Sequence, residues 1–183
     1  NNPVVFVEHR MLYNLEDHVV ETPYTSEIGK ARVLQQGNDI TIVGISHMVI
    51  EALRAHKHLE SNGISAEIID PIWLSPLDID TIAASVEKTG RLLVVDTGWL
   101  PCGASAEIAI QVIESLQGRK NIIVERAGYA ETPCPTTKPL ENLFYPNSST
   151  IASQAFKMIY PNSLQWTPKG EEAEEITKFK GPF

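Results

Sequence analysis

Two rhythms of hydrophobic and polar positions run through this chain. The first is a set of short apolar runs: Asn1 to Val7, Ile40 to Ile45, Ala66 to Ile69, Leu92 to Val95 and Asn121 to Val124. Such runs read as strands, and the least interrupted of them, Leu92 to Val95, suggests a strand covered on both faces. The second rhythm is helical. Val49, Ala52, Leu53, His56 and Leu59 mark one side of a helix from His47 to about Glu60. Ile79, Ile82, Ala83 and Val86 mark another, which Gly90 stops. Ile108, Ala109, Val112, Ile113 and Leu116 form a third stripe, and Ile151, Ala152, Ala155, Phe156 and Ile159 a fourth.

The punctuation between these segments fits. Ser46 is the expected cap of the first helix, and Asn62-Gly63 its end. Ser75-Pro76-Leu77-Asp78 reads as a helix start, with Ser75 as cap, Pro76 at the first helical position and Asp78 closing a capping box. Ser148 or Ser149 is the expected cap of the last helix. The four prolines between 126 and 146 predict a structured loop with one short helical turn. Strands alternating with helices predict an α/β fold, a parallel sheet with helices on both faces and right-handed crossovers. The polar stretch from His9 to Gln36 reads as a long connection, which places a domain boundary there. The expected division is therefore 1–20 as the end of a preceding domain plus linker, 21–160 as the compact domain, and 161–183 as a polar tail.

Composition narrows the function. A length of 183 residues with 43% hydrophobic content supports one domain with a substantial core. A net charge of −8 argues against nucleic acid or an anionic membrane as the main partner. No apolar run approaches the roughly 20 residues that span a bilayer. Cys102 and Cys134 lack metal-type spacing and read as two reduced thiols.

Several reactive side chains fall just after strands. His47 follows the first core strand, Asp70 the second, and Asp96 with Trp99 and Cys102 the third. Open parallel sheets bind ligands at that edge, so a shared crevice is one reading. In the other, Ser46, Asp70 and Asp96 only cap helices or turns, and His47 is a solvated surface residue. A protonated His47 at a helix start would suit an anion. His56 and His58 lie on different faces of one helix and make poor joint ligands. There is no HExxH, CxxC, P-loop or nucleophile elbow. The residues by themselves thus present a scaffold without a catalytic set. They leave open an interaction or regulatory module, and an enzyme using the crevice for a small anion.

Five ordered motifs carry a resemblance. Asn2-Pro3-Val4-Val5-Phe6-Val7-Glu8 with Arg10-Met11-Leu12-Tyr13, Ile69-Asp70 with Leu74-Ser75-Pro76-Leu77-Asp78, and Lys88 to Val95 are the first three. Gly98 to Gly103 with Ala106-Glu107-Ile108, and the loop Gly128 to Pro135, complete the set. In this order they resemble the carboxyl-terminal half of the β subunit of thiamine-diphosphate-dependent 2-oxo acid dehydrogenases of the pyruvate, branched-chain and acetoin type, in the wider transketolase group.

That resemblance implies a transketolase carboxyl-terminal-like domain with a three-layer, mostly parallel sheet of about five strands. Residues 1–20 would then close a pyrimidine-binding domain. The full complex would oxidatively decarboxylate a 2-oxo acid such as pyruvate and pass the acyl group to lipoamide. Its thiamine diphosphate, held with magnesium, would lie between an α subunit and the β subunit's amino-terminal domain. This chain would then supply no catalytic, cofactor-binding or metal-binding residue. Its implied role is homodimerisation and docking of the lipoyl acyltransferase's subunit-binding domain, with Glu131 as the acidic docking residue of the proline-containing loop. Asn2 matches a position that helps hold a structural potassium ion in some relatives, whose other ligands lie upstream. The compartment implied is cytoplasm in a bacterium and mitochondrial matrix in a eukaryote. The sequence departs from the family at Asp70-Pro71-Ile72-Trp73, where an arginine is lost, and in a loop at Gly128-Tyr129-Ala130-Glu131 that is one residue longer.

Overall fold

The computed structural model describes residues 3–168, apart from 6, 14 and 17. Five strands form one sheet: β1 (Arg32–Gln35), β2 (Ile40–Gly44), β3 (Ala66–Asp70), β4 (Arg91–Val95) and β5 (Ile123–Ala127), in the order β1-β3-β2-β4-β5. β3, β2, β4 and β5 run parallel, and β1 lies antiparallel on the edge, with Arg32 opposite Asp70. All of β2 and most of β3 and β4 are buried, as strands covered on both faces require.

Five helices follow the pattern: α1 (Met48–Glu60), α2 (Ile79–Thr89), α3 (Ala104–Leu116), α4 (Lys138–Phe144) and α5 (Ser148–Ile159). α1 and α5 pack on one face, where Met48, Ala52, Leu59, Ile151 and Ala155 meet Ile40, Ile42, Ile68 and Leu93. α2 and α3 cover the other, with Ile82, Val86, Ile108, Val112 and Leu116 against Val43, Ile69, Leu92 and Val94. The three-layer architecture and the mostly parallel five-stranded sheet are those expected.

Several polar groups inside this sandwich are paired, although the buried Ser105 Oγ of α3 has no hydrogen-bond partner. Glu67 is 3% exposed and takes hydrogen bonds from Lys88 Nζ at 2.5 Å and from the Gly37 amide at 3.2 Å. Thr41 bonds the hydroxyls of Ser85 and Thr89 at 2.7 and 2.8 Å, tying β2 to α2. Glu51 is 2% exposed; it accepts from the Ser148 amide at 2.8 Å and from Arg54 at 2.6 Å, joining α1 to the amino end of α5.

The structure corrects several local expectations. The described residues of the Asn1 to Val7 segment form no strand, and Val4, Val5 and Val7 are more than 80% exposed, because no neighbouring strand pairs with them. The connection from His9 to Gln36 is not irregular throughout, since it contains β1 and a single 3-10 turn at Arg10–Leu12. β5 begins at Ile123 and extends past Val124 to Ala127, because Glu125 finds Gln154 of α5 and Arg126 the Leu100 carbonyl of the loop after β4. Ser46 does not cap α1: its φ of 56° turns the chain, and His47 takes the cap position without a side-chain bond. Ser75 and Pro76 lie outside α2, whose cap is Asp78 itself, accepting from the Thr81 amide. Asn147, not Ser148 or Ser149, caps α5 in a full capping box with Thr150. Ile113 faces outward at 42% exposure, since α3 carries more apolar positions than its buried stripe uses. Much of the polar tail lies outside the described residues, and so does Asn2.

Candidate functional site

The carboxyl ends of the parallel strands gather the predicted residues at one edge. Asp70 ends β3 and Asp96 follows β4, with β2 between them, so their backbones stand about 10 Å apart. His47 follows β2. Each of the three has its own surroundings.

Asp70 makes a tight turn. Its Oδ1 accepts from the Ile72 amide at 2.9 Å. Burial raises its carboxyl above the ordinary range, against that hydrogen bond and the charge of Arg32. His47 lies at the start of α1, 8% exposed, with its ring stacked on His9 at 5.1 Å and 16°. Burial holds it below the ordinary histidine value, outweighing the opposing pull of Glu51.

Asp96 organises the most elaborate part of the edge. Its carboxylate accepts backbone amides of Thr97 and Ser105, while burial raises its pKa overall. It therefore already fills the positive amino end of α3. The loop it anchors is closely packed. A Cβ at Gly103 would stand 2.2 Å from the Trp99 carbonyl, and one at Gly128 would stand 2.6 Å from the Gly98 carbonyl. The Tyr129 amide bonds Gly98 O at 2.9 Å, and Arg126 Nη1 donates to Leu100 O at 2.6 Å.

Over this loop sits a nest of four rings. Trp99 stands edge-on to Tyr129 and to Phe144, both at 6.0 Å. Tyr129 stacks on Phe144 at 4.9 Å, and Tyr145 is edge-on to both of these. The Ala130 amide bonds Phe144 O at 3.1 Å, closing the proline-containing loop onto α4. Cys134 Sγ lies 3.4 Å from the Tyr145 hydroxyl, and that hydrogen bond, with burial, pushes Tyr145 up to about 12. Phe144 is buried, but Trp99 is 46% exposed, Leu140 54% and Leu143 77%. The outer surface is thus mixed, with exposed Lys138 and Asn142 on α4 beside these leucines and exposed Glu131 in the adjoining loop.

Trp99 and Asp96 therefore belong to one assembly, while His47 and Asp70 belong to two others. Sequence reasoning passed over Tyr129, Phe144, Tyr145 and His9. The only signal for the nest was the density of aromatic residues among the prolines. Among the described residues, no three His, Cys, Asp or Glu side chains gather as metal ligands. A diphosphate approaching α3 would meet the Asp96 carboxylate. The donor set at this edge consequently does not fit thiamine diphosphate with magnesium. No helix among the described residues is long and apolar enough to cross a membrane.

Comparison with known proteins adds lineage. The model of the family described as transketolase, C-terminal domain, matches residues 29–151. The β subunit of acetoin:2,6-dichlorophenolindophenol oxidoreductase from Cupriavidus necator is 41% identical over 157 residues, covering 86% of this chain and 46% of that protein. The pyruvate dehydrogenase E1 component subunit beta from Staphylococcus epidermidis is 40% identical over 156 residues, covering 85% of this chain and 48% of that protein. The chain spans about half the length of the curated relatives it matches. Among solved structures, a split-gene transketolase titled as an inactive beta4 tetramer superposes with a TM-score of 0.65 at 26% identity, covering 75% of this chain and 44% of that one.

Proposed function

The chain belongs to the transketolase carboxyl-terminal domain family, and on that premise we propose that it serves as the carboxyl-terminal, contact-making half of the β subunit of a thiamine-dependent 2-oxo acid dehydrogenase. The reaction of the whole assembly is oxidative decarboxylation of a 2-oxo acid with acyl transfer to lipoamide. Thiamine diphosphate supplies the chemistry of decarboxylation, from a site this domain does not form. The α subunit is the partner on the cofactor side. On this reading residues 1–20 join an amino-terminal domain to the domain at 21–160.

The observation that carries the proposal is the surface over the aromatic nest. Trp99, Leu140 and Leu143 expose apolar area on a rigid, closely packed support. Exposed apolar side chains on and beside such a support suit a contact surface. Glu131 is exposed in the loop between β5 and α4, where an acidic group suits a basic docking domain and sets its orientation and association rate. The titratable groups of the same edge are occupied by turns and helix ends, which favours contact over proton transfer here.

Three measurements test the reading. In sedimentation velocity the chain is expected to dimerise at micromolar concentration, and Leu143→Glu, a change at an exposed position, is expected to shift it to monomer. A wild-type monomer at tens of micromolar would sink the dimer assignment. Binding of a purified subunit-binding domain is expected to weaken about tenfold in Glu131→Lys; an unchanged affinity removes Glu131 from the docking surface. The chain alone, given thiamine diphosphate, magnesium and 2-oxo acids, is expected to show no decarboxylation.

A further inference from the structure

We propose that His9 and His47 form an acid-released latch that fixes the 3-10 turn at Arg10–Leu12 to the start of α1. The two rings lie nearly parallel, 16° apart, with centroids at 5.1 Å. His9 Nδ1 accepts from the Met11 amide at 3.3 Å, which requires that nitrogen to be unprotonated. The same ring therefore caps the turn and meets His47: the cap needs Nδ1 unprotonated, and the stack cannot hold both rings charged. His47 is 8% exposed, so a charge arriving there loses most of its hydration.

Among the described residues, the pull of Glu51 toward a protonated His47 is outweighed by burial. Glu51 and Arg54, one and two turns further along α1, face His47, and they are bound to each other at 2.6 Å. The other oxygen of Glu51 is taken by the Ser148 amide of α5. Beside His9 in the chain, Glu8 bonds the Tyr13 hydroxyl, and Arg10 adds positive charge. Two imidazolium rings at stacking distance would repel each other in this setting.

Burial lowers both histidines from their ordinary value of 6.5. The released segment therefore binds more protons than the latched one. Latching is at full strength above about pH 6.5 and weakens as pH falls below it, until the lowered values of the latched rings are reached. With two protons taken up on release, the release constant rises up to roughly a hundredfold per pH unit in that window.

The test uses the full 183-residue chain. Ring-resolved NMR titration follows each histidine while amide hydrogen exchange follows Leu12 and Tyr13, whose amides bond His9 O at 3.0 Å and Arg10 O at 3.2 Å. The two histidines are expected to titrate below 6.5, with protection of the two amides lost over the same range. His47→Phe keeps a ring to stack upon but cannot titrate, so the loss is expected to flatten to about tenfold per unit. His9→Asn retains a capping oxygen outside the core and is expected to flatten it equally. Ordinary titration of both rings with unchanged protection overturns the latch, as does an unaltered pH slope in either variant.

Discussion

Removing the lysine from the buried Lys88–Glu67 pair asks how much of the sheet's stability rests on one ion pair. Glu67 is 3% exposed and sits in β3 with Lys88 Nζ at 2.5 Å. Burial pushes its carboxyl pKa up, but hydrogen bonds from Lys88, Ser85 and Gly37 more than reverse this and hold it below 4.5. Breaking a fully buried pair costs about 3–5 kcal/mol. The Lys88 side chain is 40% exposed, so water shields part of the interaction and the Gly37 amide survives. Lys88→Met is therefore expected to cost about 2 kcal/mol at pH 7, read as a fall in the urea midpoint at constant slope. The pH dependence is more discriminating. In the wild type the lowered pKa stabilises above about 4.5, and that stability is lost as pH falls through the native value. In the variant burial is opposed only by Ser85 and Gly37, so the pKa rises relative to the wild type and the penalty is relieved as pH drops toward the carboxylate range. The difference between the two proteins should accordingly be greatest near neutrality and shrink below about pH 5. Glu67→Gln combined with Lys88→Met should recover much of the loss. A cost under about 0.5 kcal/mol at pH 7, or one that does not shrink in acid, would refute the argument.

Three further changes probe the edge and the caps. Gly103→Ala places a methyl group against the Trp99 carbonyl, 2.2 Å away, and should cost about 1–3 kcal/mol while shifting Trp99 fluorescence. Asn147→Ala removes the side-chain half of the α5 capping box and should cost about 1 kcal/mol, lowering Tm by about 2–4 °C in a calorimeter. Cys134→Ala takes away the main influence that pushes Tyr145 up to about 12, so alkaline ultraviolet titration should show one tyrosine ionising earlier than in the wild type.

The sequence was most legible where burial was greatest. β2, β3 and β4 are covered on both faces, so their composition has little freedom, and Gly90 in the left-handed conformation at φ 74° ends α2 as its position suggested. β1 escaped notice because it is a four-residue edge strand whose partner is β3, more than 30 residues later; Arg32 and Gln35 make it read as loop. β5 was shifted because two of its residues are charged. Glu125 and Arg126 are tolerated only through bonds to Gln154 and to the Leu100 carbonyl, which no local pattern reveals. The helix caps erred by one residue or a few, since several serines and aspartates with capping ability stood close together. The aromatic nest and the His9–His47 stack were illegible for a deeper reason. Their members come from separate segments, and only the sheet topology brings them together.

The same topology explains what the carboxyl edge has to offer. In an open parallel sheet the amides at the starts of the following helices point toward this edge and attract negative charge. Here Asp96 answers that attraction at α3, and Glu51 does so at the amino end of α5. Asp70 spends its carboxylate on its own turn. Carboxylates held this way stabilise loops, but they are poorly placed to accept a proton from a substrate, because doing so would cost the backbone bonds they satisfy. Accessible apolar side chains at this edge include Trp99, Leu140 and Leu143, with exposed Glu131 in the loop before α4. Substituting Asp96 should therefore disturb the loop and the nest before any chemistry. Asp96→Asn, which keeps an acceptor but removes the charge, should loosen the start of α3 and weaken dimerisation together. If it instead left dimerisation intact while the loop moved, these side chains would not be the contact surface, and the proposed role of this edge would fail at its support.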